Sequence, residues 1–180
     1  MLETKRLIIR ELTFADVNVV HELLSLAETD EFNTLGIPGT IQITEVQLDE
    51  WLIAQIQEPR CSYIFSICKN DDDCFIGLIA LVIGKAKYRA AEVWFKVHKD
   101  FWRKGYTTEA LTKVLDYGFN TLKLHRIEAG CAVENIASYK VLEKVGMKRE
   151  GMKRKNLPIR GEWNDNYFYG MLEEDFYKIH

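Results

Sequence analysis

Arg103, Lys104, Gly105, Thr107 and Thr108 crowd into one short stretch, FWRKGYTTEA (Phe101 to Ala110), between a strand-like run and a helix-like run. A helix N-terminus presents unpaired N–H groups and partial positive charge, so an anion such as a phosphate is its natural guest. The two cations add charge, the glycine permits positive φ or close backbone approach, and the threonine hydroxyls can donate or cap. Residue types alone leave two readings open: a phosphate cradle, or a plain basic turn ahead of a helix. Neither nucleotide motif, G-x-x-x-x-G-K-[ST] or G-x-G-x-x-G, is present.

Two other places carry candidate chemistry. Glu92 opens an alternating run in which Val93, Phe95 and Val97 point one way and Glu92, Trp94 and Lys96 the other. Asn135 precedes a short helical pattern with Ser138, Val141, Leu142 and Val145 on one face, ended by Gly146. Metal chemistry finds no support. The histidines (His21, His98, His125, His180) are scattered, and Cys61, Cys68, Cys74 and Cys131 show no C-x-x-C spacing. The cysteines read as reduced, buried small hydrophobes.

These residues must be held by a chain of 180 residues, a length that fits one domain spanning 1–180 with a sizeable core. The formal charge of −3 gives no strong pull toward nucleic acid or anionic lipid. The longest apolar run, Phe75 to Ile83, is too short to cross a bilayer, and the opening MLETKRLIIREL lacks a signal peptide's apolar core. No nucleic-acid or membrane partner is expected, and a cytoplasmic location is.

Periodicity supplies the scaffold. Leu7 to Glu11 reads as a first strand, and Thr13 with Asp16 opens a helix carrying Val17, Val20, Leu24 and Ala27. Thr44 and Gln47 form a capping-box pattern ahead of Leu48, Trp51, Leu52 and Ile56, with Pro59 past the end. Tyr63 to Cys68 is a strand; Phe75 to Ile83, apolar throughout, suits a central strand covered on both faces. After Glu92–Val97 and the basic loop comes a helical stripe of Leu111, Val114, Leu115, Gly118 and Leu122. Ile127, Ala129, Cys131 and Val133 alternate as a strand, and pieces near Arg149–Leu157 and Glu162–Leu172 close the chain. Seven strands and four helices in this order argue for a mixed sheet in an α/β or α+β domain.

The two segments together are specific. Trp102-Arg103-Lys104-Gly105-Tyr106-Thr107-Thr108-Glu109-Ala110 is followed by Asn135…Ser138…Val141-Leu142-Glu143-Lys144-Val145-Gly146-Met147. In this order and spacing they resemble the GNAT acyltransferases, in the branch of RimJ/RimL ribosomal-protein N-terminal acetyltransferases and spermidine N-acetyltransferases. That branch tends to read W-x-K-G-Y-x-T-E-A and then N-x-x-S-x-x-V-L-E-K-x-G-F. The resemblance covers nearly the whole chain, from TKRLIIRELTFAD to RGEWNDNYFYGMLEEDF. Against the wider [QR]-x-x-G-x-[GA] signature, Trp102 stands for Gln or Arg and Thr107 for Gly or Ala; Met147 replaces the usual Phe.

The resemblance implies a GNAT fold with acetyl-CoA as cosubstrate, lying in a V between two splayed parallel strands, here Glu92–Val97 and Arg126–Val133. It implies that backbone N–H groups of Arg103, Lys104, Gly105, Tyr106, Thr107 and Thr108 hold the pyrophosphate. Backbone groups of Phe95, Lys96 and Val97 would pair with the pantetheine like an added strand, and one N–H there would polarise the thioester carbonyl. The Asn135 side chain would bind the pantetheine arm, a role compatible with capping a helix. Glu92 is the first candidate for the base that takes the proton of the attacking amine; a solvated strand-end carboxylate is the other reading. Leu142 stands where many relatives place a Tyr, so Ser138, and more weakly Tyr139, are candidates to protonate the departing thiolate.

The implied activity is N-acetylation of a primary amine: a protein N-terminal amine of ribosomal-protein type, or else a polyamine or small amine such as an amino-sugar drug. Glu28, Asp30 and Glu31 lie where the branch lines its acceptor groove, although acids on a helix usually face solvent. The basic run Lys148, Arg149, Lys153, Arg154, Lys155 and Arg160 reads as a solvated hairpin face, and Trp163, Tyr167 and Tyr169 as packing. Two readings of other classes stay open: a non-catalytic acyl-CoA-binding module, because Tyr is absent at Leu142, and a nucleotide-phosphate-binding enzyme. A homodimer is an option by analogy with the branch.

Overall fold

The protein is described here from a computed structural model covering residues 1–179; His180, the last of the four histidines, lies outside the described residues. The elements in chain order are β1 (Leu2–Glu3), β2 (Leu7–Glu11), α1 (Val17–Ser25), α2 (Ala27–Asp30), α3 (Ile41–Ile56), β3 (Ser62–Lys69), β4 (Phe75–Ile83), β5 (Ala90–Val97), α4 (Tyr106–Asp116), β6 (Arg126–Ala132), α5 (Ile136–Lys144), β7 (Lys148–Ile159), β8 (Glu162–Leu172) and α6 (Glu173–Ile179). The strands form one mixed sheet in the order β1-β2-β3-β4-β5-β6-β8-β7.

The uniformly apolar β4 explains the layering. Leu78 and Ala80 face one way, into a cluster with Val20, Leu23 and Leu24 of α1 and Leu48 of α3. Ile79 and Leu81 face the other way, into a larger cluster with Leu111 and Val114 of α4, Phe119 beyond it, and Leu142 of α5. A strand buried on both faces cannot alternate in polarity, and this one does not. β4 and β5 also approach each other very closely at Gly77, where a Cβ would sit 2.2 Å from the Lys96 carbonyl oxygen.

Every neighbouring pair of strands is antiparallel except β5 and β6, joined through α4. Parallel neighbours need such a crossover, and here it runs over the face of the larger cluster. α4 passes into a wider π turn over Tyr117–Thr121, which ends the crossover.

The sheet and helices correct the sequence reading in four places. Eight strands and six helices replace seven and four, because β1 has two residues, α2 one turn, and α6 follows β8 directly. Ala27 does not continue α1; the chain breaks at Leu26, which takes an extended conformation (ψ 122°). α3 starts after Thr40, so the Thr44–Gln47 pattern is interior to the helix. Thr44 is buried there, its hydroxyl 2.8 Å from His21 Nδ1, a tertiary partner that local pattern cannot reveal. Of the four cysteines only Cys68 and Cys131 are buried; Cys61 is exposed and Cys74 half-buried. Among the described residues, no helix is long and apolar enough to cross a membrane.

Candidate active site

β5 and β6 pair at only three positions, Ala90 with Arg126, Ala91 with Ile127 and Glu92 with Glu128. Beyond them the two strands diverge: β5 stays on β4 to Val97, and β6 stays on β8 to Ala132. Two parallel neighbours that part leave unpaired backbone N–H and C=O groups on facing edges, which another extended chain can satisfy. A groove of about 340 Å³ occupies the opening. Residues 93–96 and 129–132 line it, together with the Asn135 and Ser138 side chains; it continues outward to Asn33 and Trp51. A broader hollow of about 500 Å³ lies between Thr4, Glu109, Asp116 and Tyr177, touches neither splayed strand and is more open to water.

The loop FWRKGYTTEA sits at the end of β5. Gly105 caps α4 in the left-handed region (φ 81°), and Arg103 is left-handed as well (φ 60°). The Glu109 amide bonds to the Gly105 carbonyl at 3.1 Å. The amides of Tyr106, Thr107 and Thr108 therefore come before the first donor of the helix ladder and have no carbonyl within α4 to bond. Arg103, Lys104 and Gly105 are exposed; Tyr106 to Thr108 are half-buried. Two side chains tie this loop down. Trp102 Nε1 donates to the Val97 carbonyl at 2.7 Å, so that carbonyl is already occupied. Arg6 Nη1 donates to the Lys104 carbonyl at 3.0 Å.

Glu109 anchors Arg6 in turn. Its carboxylate accepts from Thr4 Oγ1 (2.6 Å), from the Arg6 amide (3.0 Å) and from Arg6 Nε (2.7 Å). Burial pushes the Glu109 carboxyl up, but the Thr4 and Arg6 donors outweigh it and hold the group below the ordinary range. Sequence reasoning missed this anchor, because the partners lie more than 100 residues apart and no local spacing signals them.

A valine at Gly105 tests the loop conformation. A Cβ there would meet only Arg6 Nη2, at 3.5 Å, so the space exists and the cost is conformational. Holding a non-glycine residue left-handed costs about 1–2 kcal/mol, so Gly105→Val is expected to weaken coenzyme A binding about tenfold in calorimetric titration. Unchanged affinity would mean that the loop does not depend on this turn.

At the far wall, Asn135 Oδ1 accepts from the Ser138 amide (3.1 Å), capping α5, while both residues line the groove. The Ser138 hydroxyl lies beside the Cys131 thiol, which burial pushes up to about 11 against a smaller opposing effect of that hydroxyl. Leu142 is buried and reaches the groove. Tyr139 is placed elsewhere: it packs on the larger cluster, edge-on to Tyr167 at 6.1 Å, and does not line the groove. Nor do Trp163, Tyr167 and Tyr169. Trp163 is exposed, while Tyr169 is buried with its hydroxyl donating to Glu143 at 2.9 Å.

Glu92 stands where β5 and β6 part, on the groove rim, open to solvent yet flanked by protein. Burial, with the Glu128 carboxylate adding to it, pushes the Glu92 carboxyl above the ordinary range. The alternation holds: Val93 and Val97 pack on the α4 side, Trp94 on the α1–α3 side, 6.1 Å from Trp51. Lys96 shares the Trp94 side, and its ammonium is buried with no hydrogen-bond partner among the described residues. Burial pulls it down to about 8, partly offset by Asp30. Of the three acids read as acceptor-lining, Glu28 pairs with Lys99 (2.7 Å) and Asp30 with Arg160 (3.3 Å). Glu31 is exposed.

The family described as acetyltransferase (GNAT) domain matches residues 6–148. An N-acetyltransferase of Bacillus subtilis, YnaD, itself uncharacterized, is 36% identical over 177 residues, covering 97% of this chain and 98% of its own. A solved GNAT acetyltransferase from Bacillus anthracis superposes with a TM-score of 0.84 at 32% identity, covering 96% of this chain and 98% of its own. More distant relatives are named for different acceptors. The ribosomal protein uS5-alanine N-acetyltransferase of Escherichia coli is 24% identical over 69% of this chain and 65% of its own. The spermidine N(1)-acetyltransferase of Vibrio cholerae is 31% identical over 50% of this chain and 52% of its own. The chain belongs to the GNAT N-acetyltransferases, enzymes that move an acetyl group from acetyl-CoA to an amine.

Proposed function

We propose that this chain acetylates a protein N-terminal amine, of the kind found on ribosomal proteins, through a direct complex of acetyl-CoA and acceptor. The observation that supports the acetyl-CoA half of this reading is the parting of β5 and β6 after Glu92, beside a loop whose amides lead α4. The residues present fit a diphosphate-bearing thioester. The amides of Tyr106 to Thr108, with Arg103 and Lys104 nearby, suit the diphosphate. The facing edges of β5 and β6 suit the pantetheine amides, with Asn135 at their far wall.

The reaction needs a neutral amine, and an ordinary primary ammonium near pH 7 is protonated. Glu92, on the rim, takes that proton, directly or through water. The amine nitrogen then forms its bond to the acetyl carbon while a β5 amide supports the carbonyl oxygen. The carbon–sulfur bond breaks, and the nitrogen's second proton passes to the departing thiolate, directly or by way of the Ser138 hydroxyl. Placement of the two partners supplies much of the rate, so a strong acid is not required.

Of the carboxylates that would suit a polyamine, Glu28 is paired with Lys99 and one oxygen of Asp30 with Arg160, which leaves Glu31 on the surface. Labelled acetyl-CoA, incubated with the protein, a cell extract and a panel of amines, decides the matter. The expected result is labelled protein N-termini and release of coenzyme A. Labelled spermidine with unlabelled proteins would overturn the acceptor assignment. Coenzyme A binding without turnover on any amine would make the chain a non-catalytic binding module.

A further inference from the structure

Asn33 Nδ2, Lys96 Nζ and Asn166 Oδ1, from residues that line the groove, are buried with no hydrogen-bond partner among the described residues, and so is Asp30 Oδ1, whose carboxylate acts on Lys96. Buried polar groups are almost always satisfied, so a cluster of orphans points to something that completes it. Asp30 is only 4% exposed, and Arg160 holds its other oxygen from the turn between β7 and β8. Arg160 also donates to the Ala27 carbonyl at 3.2 Å. α2 is thus strapped in place, and Asp30 is not free to swing onto Lys96. The Asn33 backbone N–H donates to the Asp30 carbonyl at 3.0 Å, and its side-chain Oδ1 accepts from the Leu35 amide at 3.4 Å, which leaves Nδ2 as the unused donor.

The side of the sheet matters. The amides of residues 106–108 lead α4, which packs against Val93 and Val97. Lys96 alternates to the other side with Glu92 and Trp94. A group reaching Lys96 therefore comes from the acceptor, not from the diphosphate of the cosubstrate. Resting on the acetyltransferase reading above, we propose that Lys96 Nζ and Asn33 Nδ2 receive a carbonyl oxygen of the acceptor. This makes Lys96 a specificity residue for amines carried on a peptide backbone.

The orphan set has both polarities, as a peptide unit requires. Lys96 and Asn33 donate to a C=O, and Asp30 Oδ1 is an acceptor for an N–H. A polyamine offers only cations, which Lys96 repels. Glu92 and Lys96 are four positions apart on β5, about 13 Å between Cα atoms at strand rise. That separation suits an oxygen some bonds away from the reacting amine rather than on the adjoining carbon.

The test compares kcat/KM for a short peptide with a free N-terminus, a free amino acid, spermidine and a simple alkylamine, in wild type and Lys96→Met. The expected wild-type order places the peptide first. Lys96→Met is expected to lower the peptide-to-alkylamine ratio about tenfold, chiefly through the peptide KM, and Lys96→Arg to recover part of it. Asn33→Asp, which replaces the donor by a repelling carboxylate, is expected to lower the same ratio and covers the case of a poorly folded Lys96 variant. A ratio unmoved in both variants, or spermidine as the best wild-type acceptor, overturns the proposal. Equal preference for amino acid and peptide overturns the peptide source and assigns the oxygen to a carboxylate. Turnover with an unmoved ratio sinks only the role of Lys96; no turnover on any amine, with coenzyme A still bound, sinks the catalytic reading as well.

Discussion

Glu92→Gln is expected to lower kcat at neutral pH by about 10²–10⁴-fold, the range over which a positioned general base contributes. Glutamine keeps the shape of the side chain and loses its basicity, so coenzyme A affinity should hold while turnover falls. The pH profile carries the finer test. Burial and Glu128 raise the Glu92 carboxyl above its ordinary range. The carboxylate is the working form of a base, so wild-type activity should rise with pH through that raised value. Glu128 sits directly across the parallel pair from Glu92. Glu128→Gln should therefore shift the acid limb to lower pH with little change on the plateau. Glu92→Gln should lose the limb and regain part of its rate at high pH, where more of the acceptor amine is already neutral. A variant with wild-type rate across the profile removes Glu92 from the chemistry and leaves proton removal to water.

The position of Glu92 was legible because strand alternation sets it opposite Val93 and Val97; a role as base is what the resemblance implies for it. The same alternation set Lys96 on the Glu92 side, yet only its backbone looked useful in sequence. What makes its side chain notable is burial without a partner, and that depends on α2 and the loop after it, far away in sequence. The strongly patterned β4 was read to the residue, Phe75–Ile83. Short ones were not. α2 is a single turn with no room for a periodic stripe, and two-residue β1 exists only because β2 is there to pair with it. Thr44 shows the converse error, a capping pattern that tertiary packing uses for another purpose. Tyr139 was a reasonable neighbour of Ser138 in sequence, but consecutive helix positions point about 100° apart, and only Ser138 lines the groove.

Glu109→Ala is expected to cost about 3 kcal/mol of stability and, through the loop, to weaken coenzyme A binding more than Gly105→Val does. The side chain is 21% exposed and accepts from one hydroxyl, one amide and one guanidinium, so the lost bonds are charge-assisted and largely shielded from water. Alanine also leaves the Arg6 amide and the Thr4 hydroxyl to find new acceptors. The guanidinium it releases is the group that holds the Lys104 carbonyl, one residue before the glycine turn. Freed from Glu109, Arg6 is no longer fixed over the Tyr106 ring, 4.4 Å away, and the amides that face a diphosphate lose their pre-set geometry. The pH dependence has a definite sign. The folded carboxyl is held below its unfolded value, so its contribution is complete above the unfolded range near pH ~4.3 and disappears as pH falls through the lowered folded value. Wild type and Glu109→Ala should thus converge in stability in acid and separate at neutral pH, as read by urea unfolding across that range. Parallel curves at all pH values would mean that the variant's loss comes from packing rather than from the Arg6–Glu109 charge pair.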